Sequence, residues 1–530
     1  MNCFEKLGVM LDCSRNAVMN ISDLKRYVTV LSKMGYNQFH LYTEDTYEVE
    51  NEPFFGYHRG RYSIEELKEF DAFCSNLGVE LVPNIQTLAH LNAIVRWDKY
   101  RKITDCNDIL LVGEESTYEL IENMIKSLRK AFKCDKIHIG MDEAHMLGRG
   151  KYLDKHGFTD RSEVLLNHLN RVCEICKHYG FKPMMWSDMF YRLANGGEYY
   201  ASGTGFSDDI KSKIPEDLTL VYWDYYSFDK KRYDAMIKGH QALCERLAFG
   251  GGAWKWSGFT AHNAFSIKAS KAAISTCVKN GVKNAFITCW GDDGGEASAW
   301  SILPSLCYAA CIAQGITKLS DIKAKFYECV GASYDDFMLL DLPDKLSDDP
   351  LANPSKYLLY NDCFMGIFDK TTGPDDCKKY ATFARKLKNA AKRTGEYSYL
   401  FRTAAKLCEV LSIKANLGNR TREAYLSKDV LLLEGVIADY TKVLKRLEAF
   451  YGEYKAQWFK ENKPHGFDVI DIRLGGLIGR VKSCRERLCD LAKGNITDIP
   501  ELNDEPLVFS EKHTNFNRWG KTVSTNVLSW

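Results

Sequence analysis

Met34-Gly35-Tyr36-Asn37-Gln38-Phe39-His40-Leu41-Tyr42 ends an amphipathic run, turns on a glycine and opens a short apolar run. Glycine tolerates the left-handed conformation that commonly ends a helix, so this stretch reads as helix, Gly35 joint, strand. Gly78, Gly180 and Gly281 stand at the same kind of joint. The strand runs are Leu7–Leu11, Gln38–Tyr42, Glu80–Ile85, Lys136–Met141, Lys182–Trp186, Thr219–Trp223, Arg246–Phe249 and Asn284–Trp290. Several carry apolar residues on both faces, as strands of a covered parallel sheet must. Ser63-x-x-Glu66 and Ser116-x-x-Glu119 read as capping boxes at helix starts between them. Eight strand–helix units are the count of a closed TIM-type (β/α)8 barrel. An open doubly wound sheet fits less well, because no Gly-rich dinucleotide turn follows any strand run.

Beyond Gly315 the strand runs stop. Ser320–Val330, Asp375–Ala391, Tyr397–Leu417, Lys428–Phe450 and Val469–Ala492 carry apolar residues at three- and four-residue spacing and read as helices. Asp341–Pro354 reads as a connector. The expected α/β organisation is a catalytic barrel over 1–318 and an α-helical C-terminal domain over 319–530.

Composition excludes several classes. The 530 residues are 45% hydrophobic and 27% charged, too apolar for a mainly disordered chain. Lys+Arg (71) and Asp+Glu (70) nearly cancel and no charge run appears, so neither nucleic acid nor an anionic membrane is the expected partner. No apolar stretch is long enough for a transmembrane helix, and Met1-Asn2-Cys3-Phe4-Glu5-Lys6 lacks the form of a signal peptide. The 18 scattered cysteines suit a reducing, cytoplasmic setting, unless an export segment has been trimmed away upstream. Cys173 and Cys176 lie in a helical pattern with no second Cys or His pair, and read as helix positions.

A barrel of this type carries its chemistry at the C-terminal ends of its strands. The residues following the runs include Asp12 and Arg15, Glu44 and Asp45, His90, Asp142 and Glu143, Trp186 and Asp188, Trp223 to Tyr226, Trp254 to Trp256, and Trp290 and Asp292. Singly each reads as a cap, a rim ion pair or a core ring. Together they suit a neutral sugar, with carboxylates and Arg for hydroxyls and aromatic walls for the C–H face. Asp142-Glu143 is the centre. Adjacent acids at a strand end repel, so one pKa should rise, and a carboxyl kept protonated is what a general acid needs. An acidic helix N-terminus is the plain alternative. The spacing of His138, Asp142, Glu143 and His145 is not that of a helical zinc site, and no metal is assigned.

His138-Ile139-Gly140-Met141-Asp142-Glu143 resembles the His-x-Gly-Gly-Asp-Glu signature of glycoside hydrolase family 20, the β-N-acetylhexosaminidases. Gly8–Arg15 resembles the family's Gly-x-x-x-Asp-x-Ser-Arg segment, and Val82–His90 its stretch ending in Pro-Gly-His. Trp186, Trp223 and Trp290-Gly291-Asp292 match its late tryptophans. Trp223–Tyr226 and Ala253–Trp256 are similar to stretches of a bacterial exo-β-N-acetylglucosaminidase subgroup with a helical C-terminal domain.

The resemblance implies a retaining exo-β-N-acetylhexosaminidase that removes terminal β-linked GlcNAc or GalNAc through an oxazolinium intermediate, with no cofactor and no metal. It implies Glu143 as acid/base and Asp142 as the group orienting the acetamido nucleophile. Arg15 and Asp292 would bind hydroxyls, and Trp186, Trp223, Trp254 and Trp290 would wall the pocket, with His90 and Asp45 supporting the site. Where the family places an acetamido-binding Tyr, this sequence has Lys255, and Tyr225 is the expected substitute. Asn84 replaces a common Glu and Ala89 a common Gly. The family's usual small α/β domain before the barrel does not appear ahead of the first strand run at Leu7. The C-terminal helices could serve as a homodimer interface. Alternative readings are release of a disaccharide, as by a lacto-N-biosidase, and a sugar-binding barrel without catalysis.

Overall fold

A computed structural model describes residues 3–509 apart from 202, 204, 347, 348, 350 and 351. Residues 510–530 of the expected helical domain therefore lie outside the described residues.

Eight parallel strands close a barrel in chain order. They are β1 (Lys6–Asp12), β2 (Gln38–Tyr42), β3 (Glu80–Asn84), β4 (Lys136–His138), β5 (Lys182–Trp186), β6 (Thr219–Trp223), β7 (Leu247–Gly252) and β8 (Asn284–Cys289). β1 closes on β8 with Leu7 opposite Ala285 and Leu11 opposite Cys289. Nearly every strand residue is buried, as the covered architecture requires. Inside the barrel His40 stacks on Phe286 at 4.4 Å, and His138 meets Trp186 at 4.4 Å. Burial pushes both imidazoles down to about 3, so they are neutral packing groups.

The glycine joints have the backbone the sequence required. Gly35, Gly78, Gly180 and Gly281 sit at φ of 104°, 71°, 73° and 69°. Ser63 and Glu66 form a complete capping box. Ser116 does not: its helix begins at Glu115 behind Glu114, which places Ser116 inside the first turn.

Two strands end three residues away from where the apolar runs suggest. β4 stops at His138, because Gly140 and Met141 adopt φ of 73° and 69° and turn the chain off the ladder. β7 continues through Gly250, Gly251 and Gly252. A Cβ on Gly252 would lie 2.9 Å from the Tyr225 ring, and one on Gly250 would lie 3.1 Å from Trp186. These glycines make room for the rings of the rim.

Beyond the helix Leu303–Ala313 the described elements are helical, the longest being Val430–Glu461 and Phe467–Ala492. The expected helix over 397–417 is Ser398–Lys414, a further helix not expected from sequence, Leu417–Ser427, follows it, and the long helix runs eleven residues past Phe450 to Glu461. The start of the expected connector also docks on the barrel. Asp341, in the 3-10 turn Met338–Asp344, accepts from the Asn263 and Ala264 amides and so caps a barrel helix. The long helix reaches the β8 loop, where Tyr454 donates to the Glu296 carbonyl at 2.8 Å and Glu461 accepts from Ser298 at 2.7 Å.

Candidate active site

The chain leaves β4 through a strained turn. Gly140 donates its amide to His138 Nδ1 at 3.1 Å, and Met141 donates to Gln86 Oε1 at 3.1 Å. A Cβ on Gly140 would sit 2.0 Å from that Gln86 oxygen, so only glycine fits. Met141 and Glu143 follow at φ of 69° and 53°, and His90 on the neighbouring loop sits at 59°. Left-handed backbone in such residues costs about 1–3 kcal/mol each and clusters at functional sites.

This turn aims two carboxylates at one cavity. Asp142 Oδ1 accepts from Gln86 Nε2 at 2.7 Å, and Asp142 Oδ2 lies 3.3 Å from His90 Nε2. Burial opposes charge on both, but their mutual attraction prevails. It holds His90 up at about 10 and Asp142 down at about 2. Asp142 is thus anionic and His90 cationic at neutral pH. Glu143 Oε2 lies 3.8 Å from His90 and its Oε1 lies 3.7 Å from Arg192.

Asp142 is lowered rather than raised, so it is not the protonated acid of the adjacent pair. A raised acid lies beside the pair instead: Asp188, just after β5, is fully buried and pushed up to about 7 by burial and by the charge of Asp142. Asp188 Oδ2 accepts from the Glu143 amide and from Arg192 Nε, each at 3.1 Å. Asp142 escapes the expected rise because His90 pairs with it.

A second polar group comes from β1. Asp12 Oδ2 accepts from Arg15 at 2.8 Å and from the Gly291 amide at 2.9 Å, joining the first and last strand ends. Arg15 also meets Glu44 at 3.2 Å and Asp292 at 3.9 Å, and lies over the Tyr42 and Trp290 rings. Burial pushes Asp292 up to about 6, against the pull of Arg15.

Trp186, Trp223, Tyr225, Trp256 and Trp290 wall the cavity that Arg15, His90, Asp142, Glu143 and Asp292 enter. Tyr225 stacks on Trp223 at 5.1 Å and meets Trp256 edge-on at 5.7 Å. Rings and charged groups thus share one pocket, with Arg15 lying over the Trp290 wall.

Residues 4–246 match the family profile described as the glycosyl hydrolase family 20 catalytic domain, and residues 335–519 match the glycoside hydrolase 20C C-terminal domain. The chain belongs to glycosyl hydrolase family 20. Among curated relatives it is 23% identical over 229 residues to hexosaminidase D of Bos taurus, covering 41% of this chain and 61% of that protein. It is 25% identical over 232 residues to a beta-hexosaminidase of Vibrio furnissii, covering 35% of this chain and 37% of that one. In both cases the match spans less than two thirds of the relative. A solved exo-beta-N-acetylglucosaminidase of this family from Vibrio harveyi, in complex with N-acetylglucosamine, is 14% identical with a TM-score of 0.48, covering 64% of this chain and 59% of that one.

Of the residues singled out from sequence, Arg15, His90, Asp142, Glu143, Trp186, Trp223, Tyr225, Trp290 and Asp292 line this one pocket of the family 20 barrel. Two others do not reach it. Asp45 is buried away from the cavity against Arg59, at 3.2 Å, and the preceding residue, Glu44, is the one that faces Arg15. Trp254 lies behind Trp256, stacked at 4.6 Å with its Nε1 donating to the Tyr225 carbonyl, so Trp256 supplies the wall. Lys255, standing where the family carries a Tyr, is buried behind the pocket and donates to the Trp290 carbonyl at 3.3 Å. Gln86 and Arg192 were not singled out from sequence. Gln86 had a signal, lying in the segment that ends at His90. Arg192 had none, because only the pairing of β4 with β5 brings it beside Glu143.

Proposed function

We propose that the protein is a retaining exo-β-N-acetylhexosaminidase that removes terminal β-linked GlcNAc or GalNAc by substrate-assisted catalysis. The observation that carries this reading is the Asp142–His90 pair, which keeps one carboxylate anionic inside an aromatic pocket beside a second, Glu143. An anionic Asp142 is the right partner for an acetamido N–H. Accepting that hydrogen bond turns the acetamido oxygen toward the anomeric carbon and opposes the positive charge that builds on the ring it forms. Family 20 enzymes are an exception to the scheme in which a protein carboxylate is the nucleophile.

In this reading Glu143 protonates the leaving oxygen and then takes a proton from the attacking water. His90 and Arg192, on either side of it, are the cations that face its carboxylate. Asp188 holds the Glu143 amide and fixes the strained backbone. Trp186, Trp223, Trp256 and Trp290 exclude water from the intermediate and pack on the methyl group and sugar C–H faces. Tyr225, on the same wall, supplies a hydroxyl to the acetamido oxygen in place of the Tyr that Lys255 replaces. Arg15 and Asp292 take ring hydroxyls.

Turnover of 4-nitrophenyl β-GlcNAc, with and without a thiazoline that mimics the cyclised acetamido group, tests the reading. Turnover should be blocked by the thiazoline, and Tyr225→Phe should bind it less tightly. A folded protein with no turnover of the GlcNAc or GalNAc glycoside, or turnover indifferent to the thiazoline, would contradict it.

A further inference from the structure

β5 ends in Trp186, a wall of the pocket, and the chain turns at once into the short helix Asp188–Ala194. That helix turns two side chains toward Glu143. Asp188 and Arg192 stand at i and i+4, the spacing that puts both on one helix face. Asp188 Oδ2 accepts from the Glu143 amide and from Arg192 Nε, each at 3.1 Å. Arg192 is held again at its Nη1, which donates to the Gly197 carbonyl at 3.1 Å. With those two nitrogens fixed, the third, Nη2, faces Glu143 Oε1 at 3.7 Å. A ring therefore closes from the Glu143 backbone through Asp188 and Arg192 to the Glu143 side chain.

The ring is anchored inside and opens outward. The side chains of Asp188, Arg192 and Glu143 are 0%, 19% and 41% exposed. A glutamate has several free torsions, so its carboxyl wanders unless both its backbone and its tip are held. The Glu143 backbone is also left-handed, at φ 53°, and its amide bond to Asp188 holds that conformation. The clamp reaches one wall further. Arg192 lies over the Tyr199 ring at 5.7 Å, and Tyr199 packs on Trp223 at 4.8 Å. The buried Tyr199 hydroxyl accepts from the Trp223 amide and meets Ser187 Oγ, each at 3.1 Å. One phenol thus ties the end of β5 to the end of β6, where Trp223 walls the pocket.

We infer that Asp188, Arg192 and Tyr199 are positioning residues, forming a clamp that fixes the Glu143 carboxyl at the leaving oxygen and in register with the Trp223 wall. This rests on the hexosaminidase reading with Glu143 as acid/base, and adds how that group is held. A proton donor acts only when its carboxyl is placed to within about 0.5 Å.

The test reads leaving-group dependence: kcat/KM across aryl β-GlcNAc glycosides from dinitrophenyl to phenyl. A misplaced proton donor penalises poor leaving groups most, whereas loss of folded protein scales every substrate alike. Arg192→Met and Asp188→Ala should each cost about ten to a hundred times more on the phenyl glycoside than on the dinitrophenyl one, in kcat rather than KM. Arg192→Lys and Asp188→Asn, which keep a cation and an acceptor, should recover part of that loss. Tyr199→Phe should give a smaller effect of the same sign. The double variant should cost little more than either single one, because each opens the same ring. Arg192 is partly exposed, so Arg192→Met keeps the test open if Asp188→Ala does not fold. Losses equal across the glycoside series, or losses that multiply in the double variant, would overturn the inference. No turnover of any aryl β-GlcNAc by the unmodified protein would instead remove the underlying reading, so the two failures are distinguishable.

Discussion

Two clusters of buried charge flank the barrel mouth, and they are built in opposite ways. Over β8 and the helical domain, Asp293 and Glu296 face Lys356, with Glu296 2.8 Å from its Nζ and 2.7 Å from Arg473. Two acids meet two bases there, and the side chains of Asp293, Glu296 and Lys356 are shut from water. The left-handed positions of that loop are Gly294 and Gly295, where glycine adopts them without strain. Over β3 to β5, Asp142, Glu143 and His90 line the pocket, with the buried Asp188 paired to Arg192 behind Glu143. Here the left-handed positions are His90, Met141 and Glu143, none of which favours that backbone. One cluster puts its cations to work closing an interface. The other holds an excess of acid beside a cavity and keeps its strain in two residues that face it, His90 and Glu143, and in Met141 between the strand and the pair. Burial of carboxylates alone does not mark a site; imbalance and strain beside a cavity do.

Glu143→Gln should separate the clusters most sharply. Rate on an unactivated glycoside should fall by roughly 10²–10⁴, with little change in thermal midpoint, because Glu143 is 41% exposed. Parallel turnover and melting measurements check this. A large drop in midpoint with little loss of rate would reverse the comparison.

Lys356→Met should behave the other way. It leaves Asp293 and Glu296 buried without their shared cation, at a cost of about 3–5 kcal/mol of stability. The folded fraction should keep a near-normal kcat. Denaturant titration beside kinetics decides it; unchanged stability would show that the second cluster is not a clamp.

His90→Asn is the subtler probe. Without His90, burial is the main influence on Asp142, so its pKa rises from about 2. The acid limb of kcat/KM should therefore move to higher pH, while the wild-type limb that reports Asp142 stays at low pH. The sign follows from linkage: the pair holds Asp142 ionised above its depressed pKa, and that benefit is lost only as pH falls through it. An unmoved acid limb in the variant would remove His90 from the role given to it.

Much of this architecture was legible in the sequence. The eight apolar runs and the glycine joints identify the barrel because a covered parallel strand has no polar face to hide. What was not legible turns on single residues. Ile139–Met141 is as apolar as a strand, and only the close approach of Gln86 to Gly140 shows that the chain must leave the ladder there. Glu44 and Asp45 are adjacent acids after β2, so one step of alternation decides which reaches Arg15. Trp254 and Trp256 stand in a loop, where no periodicity says which ring faces the cavity. Asp188, an acid raised by the charge of Asp142, lies 46 residues from it and meets it only through the pairing of β4 with β5.

The central claim is that Asp142 orients a nucleophile belonging to the substrate. It is tested most directly by comparing 4-nitrophenyl β-GlcNAc with the same glycoside carrying a trifluoroacetyl group in place of the acetyl. Fluorine withdraws electrons from the amide oxygen and weakens it as a nucleophile. If that oxygen attacks the anomeric carbon, kcat falls steeply across the acetyl, fluoroacetyl and trifluoroacetyl series. If a carboxylate of the protein attacks instead, kcat is nearly flat across the series, and the account given for Asp142 is wrong.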